Sequence, residues 1–170
     1  MLILGIDPGT ATTGYGFIQD EGPNDFKVVE WGLIETDKET EPSMRLHEIY
    51  SQMNDLILKF KPDVLIMEKV FFATNAKTVI RVGQAQGVIL LCAAKAQVKV
   101  FEYAPGTIKK IISGSGRANK KEMQKAVRKI LGPKVRSEKH KKTHFDNAAD
   151  ALAIAVTHIY KSNGIETAAI

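Results

Sequence analysis

The sequence predicts an α/β fold: a five-stranded mixed sheet, its first three strands antiparallel, flanked by helices. Three observations predict it. Three strand-like runs joined by short turns fill the first 36 residues, which makes an antiparallel meander. Further along, apolar residues recur at helical spacing in segments that alternate with short apolar runs, as in strand–helix–strand crossovers. One of those runs, Val64–Met67, has no polar alternation at all and is expected to be covered on both faces.

Leu2, Ile3, Leu4 and Ile6 form the first strand, which delivers Asp7 at its C-terminal end. Pro8-Gly9 stops it, Thr10–Thr13 turns, and Gly14–Phe17 restarts as the hairpin partner. A carboxylate in that place suits a metal or a phosphate, and it equally suits accepting hydrogen bonds from the turn amides. Phe26–Glu35 alternates as a third strand. Ser43 is the expected cap of a helix running to Phe60, with Ile49, Met53, Ile57 and their neighbours on one apolar stripe. The fourth strand, Asp63–Val70, brings out Glu68, an acid that is costly to bury unless a cation or a donor meets it. Phe71 and Phe72 follow. They cannot both enter one core from a regular strand, so an exposed ring able to stack on a base and packing against nearby loops both remain open.

Asn75–Ala96 reads as a long helix in which Gly83 and Gly87 permit close approach of another helix, in the core or across a dimer interface. Cys92 sits among apolar neighbours as a packing residue. Val98–Tyr103 is the fifth strand, and a helical turn from Pro105 to Ile112 carries Lys109 and Lys110. Asn119 caps a helix to Leu131 with Lys120, Lys121, Lys125 and Arg128 turned outward. The last helix, Thr143–Ser162, is dense in alanine, so its backbone can lie close to the sheet. It carries Asp146, Asn147 and Asp150 at spacings that bring the first two near the face of the third. The helix macrodipole favours acids near an N-terminus, which accounts less well for Asp150, a turn further in. His144 is a weak metal or base candidate, whereas His140 and His158 read as surface residues. Residues 164–170 are expected to fray, and 1–170 to form one domain.

Hydrophobic residues make up 44% of the chain and charged ones 25%, the balance of a globular protein. With one cysteine there is no internal disulfide and no cysteine-built zinc site. No apolar run is long enough to cross a bilayer and no signal peptide is seen, so a cytoplasmic location is expected. Net charge is +5, but Arg117–Lys142 holds 11 Lys and Arg against two acids, which leaves the rest of the chain at −4. A basic block joined to an acidic body points to a polyanionic partner, with Lys110, Arg117, Lys120 and Lys121 as candidate phosphate contacts.

Asp7 and Glu68 become neighbours only if strands one and four are adjacent. Carboxylates that converge repel one another, and hard divalent cations such as Mg²⁺ relieve this with oxygen ligands. Two such ions about 4 Å apart support phosphodiester hydrolysis.

GIDPGT–TGYG at 5–16, IMEKVFF at 66–72, GQAQGV at 83–88, FEYAP…IKK at 101–110 and ADALAIAVTH at 149–158 together resemble RuvC, the bacterial Holliday-junction resolvase family, over nearly the whole chain. The resemblance implies an RNase H-like fold and a homodimer that makes two symmetric nicks in a four-way DNA junction, using Mg²⁺ with Mn²⁺ as substitute. It also implies RuvA and RuvB as partners. By position, Asp7, Glu68 and Asp150 match the acidic ligands, Phe71 the stacking aromatic, Lys109 and Lys120 the basic residues by the scissile strand, and Gly83 and Gly87 the dimer helix. Asn147 departs from the family's usual acid, with Asp146 as a possible substitute, which raises the alternative of a catalytically weakened junction binder. The DPGT turn also resembles the phosphate loop of actin-like ATPases and sugar kinases, though those need two such domains, and the GxDxG start is shared with YqgF-type nucleases.

Overall fold

The computed structural model describes residues 1–22, 25–70, 76–132 and 142–168, with the backbone alone over 142–147. Along them run β1 (Leu2–Asp7), β2 (Thr12–Gly22), β3 (Asp25–Glu35), α1 (Pro42–Phe60), β4 (Val64–Glu68), α2 (Ala76–Lys95), β5 (Lys99–Tyr103), α3 (Pro105–Ser113), α4 (Lys120–Leu131) and α5 (Lys142–Ser162). The strands form one sheet in the order β3-β2-β1-β4-β5. β1, β2 and β3 are antiparallel neighbours, whereas β4 and β5 run parallel to β1. Because α1 carries the chain from β3 across to the far side of β1, the first strand is central.

The two-residue period of β1 and β4 divides the core. Ile3 and Ile66 face α3, α4 and α5, while Leu4, Ile6, Leu65 and Met67 face α1 and α2. All six are fully buried, each worth about 1.5–3 kcal/mol relative to exposure. Cys92 is buried in the second cluster, as its neighbours in sequence imply.

α5 lies directly on the sheet at two glycines. Gly5 and Gly16 are paired across β1 and β2. A Cβ on Gly5 would run into the Ala151 carbonyl oxygen and lie 2.9 Å from the Ala155 Cβ. One on Gly16 would lie 2.5 Å from Leu152 Cδ2. Small residues on both sides at Gly5 bring the helix backbone down onto β1, and at Gly16 the missing side chain makes room for Leu152.

Two expectations fail locally. Ser43 does not cap α1: the N-cap is Glu41, without a side-chain cap bond, and Pro42 opens the helix. Proline suits that first position because its missing N–H has no helical partner to lose. The C-terminal segment does not fray through Ala168, whose N–H donates to the Ile111 carbonyl (2.6 Å) and whose side chain is buried. Ile165 packs on the same core, so apolar burial holds a stretch that looked too short and small to be held.

Candidate active site

The ladder between β1 and β4 ends at Ile6 opposite Met67, and the next residue in each strand is an acid, Asp7 and Glu68. α5 supplies the third, Asp150, immediately before the Ala151 that rests on Gly5. All three line one cleft of about 270 Å³, with Lys109 of α3, Lys120 of α4 and apolar residues that include Pro105, Ile108 and Met123. A second hollow of about 250 Å³ shares Asp7, Glu68 and Pro105 and is walled by Pro8, Val70, Val79 and Val82. Asp7 and Glu68 therefore line both hollows, while Asp150 faces only the one that holds Lys109 and Lys120.

Their electrostatics are those of crowded like charges. Burial, then the Asp150 carboxylate, then Glu68 push the Asp7 pKa up to about 7, with Lys120 pulling the other way. Glu68 is raised by burial and then by Asp150, opposed by Lys109. The two lysines thus offset part of the repulsion and leave the remainder for a cation. Oxygen-only donors of this kind fit a hard divalent ion. Among the described residues no group of three or more His, Cys, Asp and Glu side chains stands together closely enough to hold a metal ion by itself.

The loop after Asp7 is braced from behind. Thr13 is fully buried, and its hydroxyl donates to the Gly9 carbonyl (2.7 Å) and accepts from the Gly9 N–H (3.3 Å). The Thr36 hydroxyl donates to the Thr10 carbonyl (2.5 Å) and accepts from Arg45 Nε (2.8 Å). Arg45 was not singled out by sequence reasoning. The signal was its place four residues before Ile49 on the buried stripe Arg45, Ile49, Met53, Ile57.

Lys109 is half-buried and Lys120 exposed, while Lys110, Arg117 and Lys121 are exposed and lie outside the cleft lining. Asp146, Asn147 and His144 fall on the first turns of α5, where only the backbone is described. Phe71, Phe72 and His140 lie outside the described residues. Gly83 and Gly87 are exposed on α2, and a Cβ on either would meet nothing within 4 Å among the described residues. Neither packs against the described core. Ile80, Leu90 and Leu91 are exposed on the same helix. His158 is a correction. It is buried, not on the surface, with Nδ1 2.8 Å from the Tyr103 hydroxyl and its ring against Phe101. The alanine-dense helix brings it onto β5, where a neutral ring is accommodated.

No helix among the described residues is long and apolar enough to cross a membrane. A family model described as crossover junction endodeoxyribonuclease RuvC matches residues 3–158. The crossover junction endodeoxyribonuclease RuvC of Caldicellulosiruptor saccharolyticus is 42% identical over 165 residues, 97% of this chain and 96% of its own. That of Syntrophomonas wolfei subsp. wolfei is 44% identical over 160 residues, 94% and 89% of the two chains. Among solved structures, T. thermophilus RuvC in complex with a Holliday junction substrate aligns with a TM-score of 0.84 at 29% identity over 96% of each chain. That agreement, with the antiparallel β3-β2-β1 half of the sheet, bears out the RNase H-like fold. On these grounds the chain belongs to the RuvC family of crossover junction endodeoxyribonucleases.

Proposed function

We propose that the cleft cuts four-way DNA junctions by metal-dependent hydrolysis of two symmetric phosphodiesters, one per protomer of a homodimer. The observation that carries this is the meeting of acids from the beginning, middle and end of the chain, flanked by two lysines, in one cleft. Asp7, Glu68 and Asp150 are the charged ligands, with Asn147 a neutral oxygen ligand and Asp146 its possible substitute. Two Mg²⁺ ions, or Mn²⁺ in their place, would activate a water and balance charge on the leaving oxygen. Burial and the neighbouring carboxylates hold the Asp7 pKa up near 7, and a bound cation would favour its ionised form. Lys109 and Lys120 hold phosphate oxygens of the scissile strand in this reading, while Lys110, Arg117 and Lys121 follow the backbone outward. Phe71, with Phe72 beside it, stacks on a base at the junction.

Gly83 and Gly87 admit a second copy's helix against α2. The exposed Ile80, Leu90 and Leu91 support that pairing, and Leu91→Lys is expected to convert dimer to monomer in sedimentation. RuvA and RuvB are proposed as further partners, and the cytoplasm as the place of action.

The test is a labelled synthetic four-way junction incubated with Mg²⁺, Mn²⁺ or EDTA beside a plain duplex. Paired nicks in the junction with metal, and none with EDTA, are expected. ATP hydrolysis without cleavage would instead favour the kinase-like reading of the DPGT turn. Asn147 favours one second reading, a weakened enzyme that binds junctions without cutting them, and tight binding with no nicks under any metal would select it.

A further inference from the structure

We infer that Asn119 and Glu122 are positioning residues for Lys120: their reciprocal cap fixes the first turn of α4 so that the lysine enters the carboxylate cleft. This rests on the reading of that cleft as the hydrolytic site and names two residues that the chemistry itself would not touch.

α4 starts in the wrong way for a helix. Its first two residues are Lys120 and Lys121, cations at the end where the macrodipole is positive. A start that breaks the local rule marks a functional demand met by compensation elsewhere. The compensation is visible. The Asn119 side-chain oxygen accepts from the N–H groups of Lys121 (3.0 Å) and Glu122 (3.1 Å). In return, a Glu122 carboxylate oxygen accepts from the Asn119 N–H (2.8 Å). This capping box satisfies otherwise unpaired donors and sets a carboxylate at the positive helix end.

Packing holds the far half of the helix most firmly, and the near half only through buried Ala118 before the cap and half-buried Met123 after it. Val127 and Leu131 are its buried residues, while Asn119, Lys120, Lys121 and Glu122 are all exposed. The preceding segment, from Gly114 to Arg117, is exposed as well. Without the box the first turn would be weakened between those two contacts, since terminal turns depend on their caps. Lys120 is the residue that such weakening would release, and it is also the one that lines the cleft with Asp7. Glu122 is the sole acid between Arg117 and Leu131 in the sequence. Engaging its carboxylate in the cap gives that acid a purpose on a surface that otherwise attracts phosphate.

The experiment measures single-turnover cleavage of a four-way junction by saturating protein in Mg²⁺, with junction affinity measured separately in EDTA. Asn119→Ala is expected to slow cleavage about tenfold, the size of a lost N-cap expressed as a population, with affinity changed less than about twofold. Asn119→Asp, which caps equally well, is expected to restore the rate to within about twofold. Lys120→Ala is expected to lose at least as much as Asn119→Ala, and the double variant no more than Lys120→Ala alone. Should Asn119→Ala fail to fold, Glu122→Ala removes the other half of the box and is read in the same way. A full cleavage rate in the cap variants beside an impaired Lys120→Ala overturns the inference, as do additive effects. A Lys120→Ala protein that cuts like wild type overturns it too. Absence of cleavage by the wild-type protein with either metal sinks instead the reading of the cleft.

Discussion

Gly5 and Gly16 face each other across the β1–β2 ladder, and the backbone of α5 rests on the bare surface they leave. The depth of that seat fixes how far Asp150 reaches toward Asp7 and Glu68. A site made from two strand ends and a helix face needs the helix at one height, and missing side chains set it.

Gly5→Ala should therefore damage the site from below. Its methyl would overlap the Ala151 carbonyl, and α5 must lift. Overpacking of this kind costs about 1–3 kcal/mol, a fall in Tm of roughly 3–10 °C for a chain of this size. Calorimetry reads that loss, and single-turnover cleavage below the new Tm should fall further than the remaining folded fraction explains.

Asp7→Asn should stabilise the metal-free protein while abolishing cleavage. The Asp7 pKa in the fold is about 7 against 3.8 in the unfolded chain. A raised pKa means its contribution is fully present below pH 3.8 and is lost as pH rises through about 7. At pH 8 in EDTA the wild type bears the whole cost of an ionised, buried Asp7, and the amide removes it. The expected gain in Tm is roughly 10 °C, shrinking at pH 5. Thermal melts at both values, with and without Mg²⁺, check this: the ion should restore the wild type and leave the variant unmoved.

Asn147→Asp should tighten metal binding. Adding a charged oxygen one turn before Asp150 raises the ligand charge of the site, and about a tenfold gain in Mg²⁺ affinity is expected, with faster cleavage at low Mg²⁺. Calorimetric titration measures the affinity. Unchanged affinity and unchanged turnover together would remove Asn147 from the metal site.

His158 should make the fold sensitive to acid. Burial lowers its pKa from 6.5, with Asp20 opposing, so the native state keeps the ring neutral. The unfolded chain then binds the extra proton first, and stability from this group falls as pH drops below about 6.5. His158→Phe removes the titration and keeps a ring beside Phe101. Denaturant titrations between pH 7 and 5 should show a flatter loss for the variant, and parallel curves would contradict the assignment.

The frame of the molecule was legible because its signals are local. Apolar runs bounded by turn residues located β1 and β4 and placed Asp7 and Glu68 at their ends, and Asn119 announced α4. What escaped reading depends on partners distant in sequence. Nothing near Gly5 in sequence indicates that Ala151 will sit above it, and nothing near His158 predicts the Tyr103 hydroxyl, 55 residues away. Arg45 is a charged residue on an apolar stripe, and its purpose appears only when Thr36 is brought beside it. Ser43 misled because a serine before an apolar stripe suits an N-cap, yet the adjacent Pro42 suits N1 still better.

The acidic cluster draws on a strand from the start of the chain, a strand from its middle and a helix from its last third. A polypeptide emerging from the ribosome would hold Asp7 and Glu68 long before Asp150 arrived. Nicking activity would therefore switch on only when the closing helix has landed on its glycine seat, so unfinished or half-denatured copies would be harmless to the chromosome.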